Sequence, residues 1–200
     1  TVAMLTMAPL LWAGNAIVGR LVHDLISPFT LNLVRWCIAF VLLLPWAGYV
    51  LRKNSAIWQC WKQYAVLGAL GIGSYNALLY LALKTSSPLN VTLVGSSMPI
   101  WMLLIGRIWF GTRISARQAF GAVLSVLGVA IVLSRGDMEQ LLKLQLVPGD
   151  WFMLLATIVW SLYSWLLARS AITMPSQTEV RSNWAAFLMA QMVFGIGWSA

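Results

Sequence analysis

The chain has 200 residues, 60% of them hydrophobic and only 9% charged. Soluble domains carry about 25% charged residues and disordered chains combine low hydrophobicity with high charge, so both classes are excluded and an integral membrane protein remains. The net charge of +8 does not point to nucleic acid, because Lys and Arg sit singly or in pairs between apolar runs rather than along one stripe.

The apolar runs, in chain order, are Val2–Leu21, Phe29–Leu51, Tyr64–Leu83, Val91–Phe110, Gln118–Ser134, Trp151–Ala168 and Trp184–Ala200. A helix needs about 20 residues to cross the hydrocarbon, and most of the runs come close to that, while the fifth is short. None shows the two-residue alternation of an outer-membrane barrel. An all-α transmembrane helix bundle with about seven helices is therefore expected. Turn chemistry marks the breaks at Ser27-Pro28, Lys53-Asn54-Ser55, Ser86-Ser87-Pro88, Arg135-Gly136-Asp137, Pro148-Gly149-Asp150 and Pro175-Ser176. The chain begins at Thr1 inside one apolar run and stops at Ser199-Ala200 inside another, so both ends are expected to continue into a longer protein.

Charge placement predicts topology. The even-numbered connections hold Arg52, Lys53, Lys62, Arg107, Arg113, Arg117, Arg169 and Arg181, eight of the 13 basic residues. The odd ones and their flanks hold Arg20, Arg35, Lys84, Arg135 and Lys143, with four of the five acids, Asp24, Asp137, Glu139 and Asp150. The positive-inside rule then places the even connections and the N-terminus in the cytoplasm. Trp58, Trp61, Trp109, Trp151 and Trp184 fall near run ends, as interfacial anchors would.

Trp12 and Trp160 are 148 residues apart, and so are Trp36 and Trp184. That offset spans five runs, an odd number, so a second copy would be inverted in the membrane. Inverted repeats characterise secondary transporters, which hold substrate near the midplane between the halves.

Against this background, Gly111-Thr112-Arg113-Ile114-Ser115-Ala116-Arg117-Gln118-Ala119-Phe120-Gly121, continuing to Gly128-Val129, resembles the join between helices four and five of the EamA family, within the drug/metabolite transporter superfamily. Trp12 in helix one, Arg35 in helix two, Tyr80-Leu81-Ala82-Leu83 at the end of helix three, Pro99 in helix four and Gly149-Asp150 opening helix six fit the same pattern in order and spacing. The family often has Glu where this chain has Thr112. The resemblance implies a ten-helix transporter of two five-helix repeats with both termini cytoplasmic. Residues 1–135 would form the first repeat and residues 149–200 the start of the second. It further implies a bacterial inner-membrane location and export of amino acids or related small metabolites.

Polar groups at membrane depth need a reason to be there. Arg35, about two turns into the second run, either snorkels or ion-pairs structurally, or contacts a substrate carboxylate. Around Asn90, Ser96 and Ser97 the fourth run is polar, and Pro99 removes a backbone donor and frees the Gly95 carbonyl. The run bends to pack closely, or to expose hydroxyls and carbonyls to a cavity, and the two are compatible. Trp12, Asn15, Tyr75, Asn76, Trp101, Trp160 and Tyr163 complete the candidate substrate-binding set, with core filling as the alternative for any single aromatic. Gly68, Gly71 and Gly73, and Gly121 with Ser125 and Gly128, give small faces for close helix packing.

No acid lies deep in any run, so proton coupling would need residues beyond this stretch, or transport is facilitated. One His at a run end (His23), two separate cysteines (Cys37, Cys60) and no carboxylate pair give no metal, cofactor or enzyme site. The expected partners are a small-molecule substrate and the lipid bilayer. An exporter of small amphipathic metabolites by alternating access is the leading expectation. Efflux of lipophilic cationic drugs is the alternative, ahead of a channel or an embedded enzyme.

Overall fold

A computed structural model describes residues 2–22, 24–133 and 147–199. His23 and the Arg135-Gly136-Asp137 break lie outside the described residues. Every regular element among the described residues is helical.

The helices are α1 (Val2–Leu21), α2 (Pro28–Ala47), α3 (Trp61–Gly68), α4 (Tyr75–Thr85), α5 (Pro88–Gly95), α6 (Met98–Phe110), α7 (Ala116–Leu133), α8 (Pro148–Thr173), α9 (Thr178–Ser182) and α10 (Trp184–Ser199). Short 3₁₀ turns at Gly48–Leu51, Ala56–Cys60 and Pro175–Gln177 link them. Among the described residues, four stretches are long and apolar enough to cross a membrane: Pro28–Leu51, Ala56–Thr85, Pro88–Phe110 and Pro148–Thr173. Ala116–Ile131 and Trp184–Ser199 are shorter apolar helices. The chain is an all-α transmembrane bundle.

Each expected run is helical where described, the third and fourth as two α-helices apiece, and several extend a turn or more past it. The third is the clearest case, reaching from Ala56 to Thr85. Proline explains part of the extension. Its missing N–H costs nothing at the first helical position, so Pro28, Pro88 and Pro148 open α2, α5 and α8. Pro148-Gly149-Asp150, expected as a break, is therefore the first turn of α8. Gly111 ends α6 in the left-handed conformation (φ 65°), where the N–H of Thr112 donates to Gly106 O at 3.0 Å. A side chain at Gly111 would be strained there.

The described chain packs as two compact units, residues 1–28 with 78–158, and residues 29–77 with 159–200. In the first, α5 packs against α1 and α7, and α6 against α7. Gly19 of α1 lies so near α4 that a Cβ would stand 2.7 Å from the Tyr80 ring. Tyr80 donates from its hydroxyl to Asn15 Oδ1 at 2.6 Å, and Arg20 Nη1 donates to the Leu83 carbonyl. α8 docks by its first turn. A Cβ on Gly149 would lie 2.8 Å from Ser86 N and closer still to Ala82 O. Asp150, 3% exposed, accepts from Ser86 Oγ, from Asn90 Nδ2 at 3.4 Å and from the Val147 N–H at 2.9 Å. The last contact caps the helix, with a carboxylate at its positive end.

In the second unit α10 is the centre. It packs against α3 and against the turn Ala69–Ser74 that follows α3. Gly68 and Gly195 face each other: a Cβ on Gly68 would lie 2.7 Å from Gly195 N, and one on Gly195 would lie 2.8 Å from Gly68 O. Small residues let helix backbones approach this closely, which is how helices gain packing energy where lipid offers no hydrophobic drive. The buried core around them includes Ile57, Tyr64, Leu67, Met189 and Met192. Gln177, fully buried, ties its edge by donating to Ala56 O at 2.7 Å and accepting from the Tyr64 hydroxyl at 3.4 Å.

Thermal melting in detergent tests both kinds of contact. Gly68→Ala pushes α3 off α10 and destabilises by about 1–3 kcal/mol, whereas Gly48→Ala, with its nearest neighbour a Leu44 side-chain atom at 3.6 Å, stays within about 0.5 kcal/mol of wild type. Asp150→Ala strands the Ser86 and Asn90 donors and costs about 2 kcal/mol; Asp150→Asn, which keeps one acceptor oxygen, costs less.

Candidate functional site

The structure gathers three of the expected site residues in the second unit. Tyr75 opens α4, and Trp160 and Tyr163 lie one turn apart on α8. The Tyr75 and Trp160 rings are 4.6 Å apart, centroid to centroid, and the Trp160 and Tyr163 rings 5.2 Å, both tilted at about 45°. The Tyr163 hydroxyl donates to Gln191 Oε1 of α10 at 3.0 Å. Gln191 is 2% exposed, and its Nε2 returns to the Phe187 carbonyl of its own helix at 3.4 Å. The Tyr163 ring sits over Gly71, where a Cβ would be 2.7 Å away. The cluster is thus a run of three aromatic faces, with one phenol fixed by a buried amide.

Arg35 is half-buried on α2 in this unit, and Asn76, beside Tyr75, is buried. Next to Arg35, Trp36 donates from its indole to Asn32 Oδ1 at 3.1 Å.

The other expected residues belong to the first unit, and their polar groups are largely engaged in holding it together. Asn15 receives the Tyr80 hydroxyl, and Asn90 donates to Asp150. Helix α5 stops at Gly95 and α6 starts at Met98, so the span does break just before Pro99. Ser96 Oγ and Ser97 Oγ each turn back onto their own helix, donating to Leu93 O and Val94 O at 2.6 Å. Met153 packs at the break, 3.1 Å from where a Gly95 Cβ would be. The hydroxyls therefore serve the bend. Trp101 is half-buried on α6, and Trp12 is 67% exposed on α1 rather than packed into a core. A groove of about 280 Å³ lies against α6 and α7, lined by Pro99, Met102, Leu103, Gly121 and Ala122 with Gln118 and Ser125. Its walls are nearly all apolar, with little to orient a polar molecule.

Among the buried polar residues, Asn32, Gln177 and Gln191 were given no role by the sequence pattern. Asn32 and Gln191 bear the same signal as Asn15 and Asn76, a carboxamide inside an apolar run. Among the described residues no cluster of His, Cys, Asp and Glu could hold a metal.

Comparison with known proteins fits this picture. The chain is 31% identical over 113 residues to the uncharacterized transporter YyaM of Bacillus subtilis, covering 56% of this chain and 35% of that protein. It is 24% identical over 175 residues to an uncharacterized transporter of Archaeoglobus fulgidus, covering 88% and 60%. A second uncharacterized transporter from that organism is 27% identical over 167 residues, covering 80% and 56%. The chain thus spans between about a third and three fifths of the length of these curated relatives. No solved structure matches it. The model of the EamA-like transporter family matches residues 1–134. With that match over two thirds of its length, this multi-pass membrane chain belongs to the EamA-like transporter family.

Proposed function

We propose that the chain is part of a secondary carrier of two inverted repeats, exporting amino acids or related small metabolites by alternating access. Its place would be the bacterial inner membrane, with the N-terminus in the cytoplasm. The observation that carries this reading is the Tyr75–Trp160–Tyr163 cluster with its buried Gln191 partner, set within spanning helices. Aromatic rings with few, well-placed polar groups are what a small-molecule site uses. An amino acid offers an ammonium, which ring faces attract, and a carboxylate, which an Arg such as Arg35 can take bidentately. The same ring faces also favour the alternative, efflux of lipophilic cations. Arg35 decides between them, because a cation has no use for a guanidinium.

The test is efflux of radiolabelled amino acids and of a lipophilic cation from proteoliposomes holding the intact transporter. Saturable amino-acid efflux is expected. Arg35→Gln abolishes it while membrane insertion and thermal stability stay near wild type, and Trp160→Ala lowers it by about tenfold, the equivalent of about 1.4 kcal/mol. Cation efflux that survives Arg35→Gln selects the alternative. A broad metabolite panel with no flux above empty vesicles overturns the carrier reading.

A further inference from the structure

The third span leaves α-helical register halfway along. Between Ala69 and Ser74 the turn widens: the Tyr75 N–H donates to Leu70 O, and Ser74 Oγ donates to Ala69 O at 2.7 Å, each reaching five residues back. An α-helix closes its bonds four residues back. A π-turn of this kind holds one extra residue and perturbs the regular backbone ladder. In lipid a carbonyl without a partner costs several kcal/mol.

One side chain serves two carbonyls of this turn. Asn32 of α2 is fully buried, and its Nδ2 lies 2.9 Å from Ile72 O and 3.3 Å from Gly73 O. Ser199 Oγ of α10 is a third acceptor at 3.4 Å. The Asn32 oxygen is taken by the Trp36 indole N–H, which fixes the amide with its nitrogen toward the carbonyls. Both N–H donors and the oxygen of the side chain are engaged. The turn and Asn32 therefore need each other: without the turn the amide is buried with fewer partners, and without the amide the turn loses the donor that α2 supplies to Ile72 O and Gly73 O.

The turn also sets the placement of α4. It puts Gly71 under the Tyr163 ring and Gly73 against Trp198, and it ends where Tyr75 begins α4 against Trp160. Relaxing it to an α-turn without removing a residue rotates α4 by about 100° relative to α3, which carries Tyr75 off Trp160.

We propose that Asn32 is a positioning residue: by holding the π-turn it fixes the register of the third span and so keeps Tyr75 on Trp160. Its bearing on transport rests on the carrier reading above; its coupling to the turn does not.

The experiment uses the intact transporter in detergent, with Asn32→Leu, deletion of Leu70, and the two combined. Leu is close to Asn in size and cannot donate. Asn32→Leu is expected to lower the melting temperature by about 5 °C and to raise hydrogen exchange of amides 70–78 at least about tenfold, with amides 116–131 unchanged. Deleting Leu70 removes the extra residue and lets the span run as one α-helix with its flanks in register. On that background the amide has no freed carbonyl to serve, so Asn32→Leu leaves the melting temperature unchanged or raises it. An equal drop on both backgrounds, or unchanged exchange at 70–78, overturns the proposal. Should the deletion variant fail to fold, the exchange pattern of Asn32→Leu alone decides. In proteoliposomes, efflux lost in Asn32→Leu and regained in the double variant supports positioning. Efflux untouched by Asn32→Leu refutes the link to Tyr75. If the parent itself shows no flux, the carrier reading fails while melting and exchange still judge Asn32.

Discussion

A backbone inside a bilayer has no water to fall back on, so every carbonyl and N–H must find a partner in the protein. The irregularities of this chain are all answers to that demand. Where the fourth span bends at Ser96-Ser97, two hydroxyls turn back onto carbonyls of their own helix. Where the third span widens at Ala69–Ser74, the partner arrives from another helix as the Asn32 amide. Helix starts are closed in the same way. Ser87 Oγ accepts the Asn90 N–H, Asn183 Oδ1 accepts those of Ala185 and Ala186, and Asp150 accepts that of Val147. A local remedy makes a bend self-sufficient. A distant one ties the irregularity to a second helix, and so makes it sensitive to what that helix does.

The second constraint is distance between backbones. Helices in lipid attract through contact and hydrogen bonds rather than through exclusion of water, so the closest approaches lie at glycines. Gly68 with Gly195 joins α3 to α10, Gly19 admits the Tyr80 ring, and Gly149 lets the first turn of α8 rest on the end of α4. Around these contacts the polar groups fall into two kinds. Those of the first unit, such as Asn15 and Asp150, are matched pairwise and lock helices together. In the second unit, the faces of Tyr75, Trp160 and Tyr163 also gather, with Gln191 holding the Tyr163 hydroxyl.

The spans were readable from the apolar runs because lipid imposes a length and a composition on each one. The break before Pro99 was readable too, since proline removes a bond wherever it stands. The grouping of Tyr75, Trp160 and Tyr163 was half legible: their depth follows from their place in the runs, but their meeting depends on α8 packing against the third span. Asn32 was not legible as a partner, because the carbonyls it serves are 40 residues away in a glycine-rich stretch that reads as a smooth packing face. Nothing in Ala69-Leu70-Gly71-Ile72-Gly73-Ser74 announces an extra residue in the turn. Pro148-Gly149 ordinarily signals a turn, while the family pattern already had Gly149-Asp150 opening the sixth helix, as the structure has it. Proline at the first helical position places that carboxylate inside the helix, facing Ser86 and Asn90.

The Asp150 contact has a temporal side. Its partners Ser86 and Asn90 lie 64 and 60 residues earlier in the chain. As the protein is synthesised, the hairpin of α4 and α5 leaves the ribosome with that hydroxyl and that amide unserved, and α7 must emerge before the carboxylate appears. In the interval water or nearby backbone groups must serve them. The contacts of Asp150 and Gly149 with the end of α4 and the start of α5 therefore close only once α8 has been made.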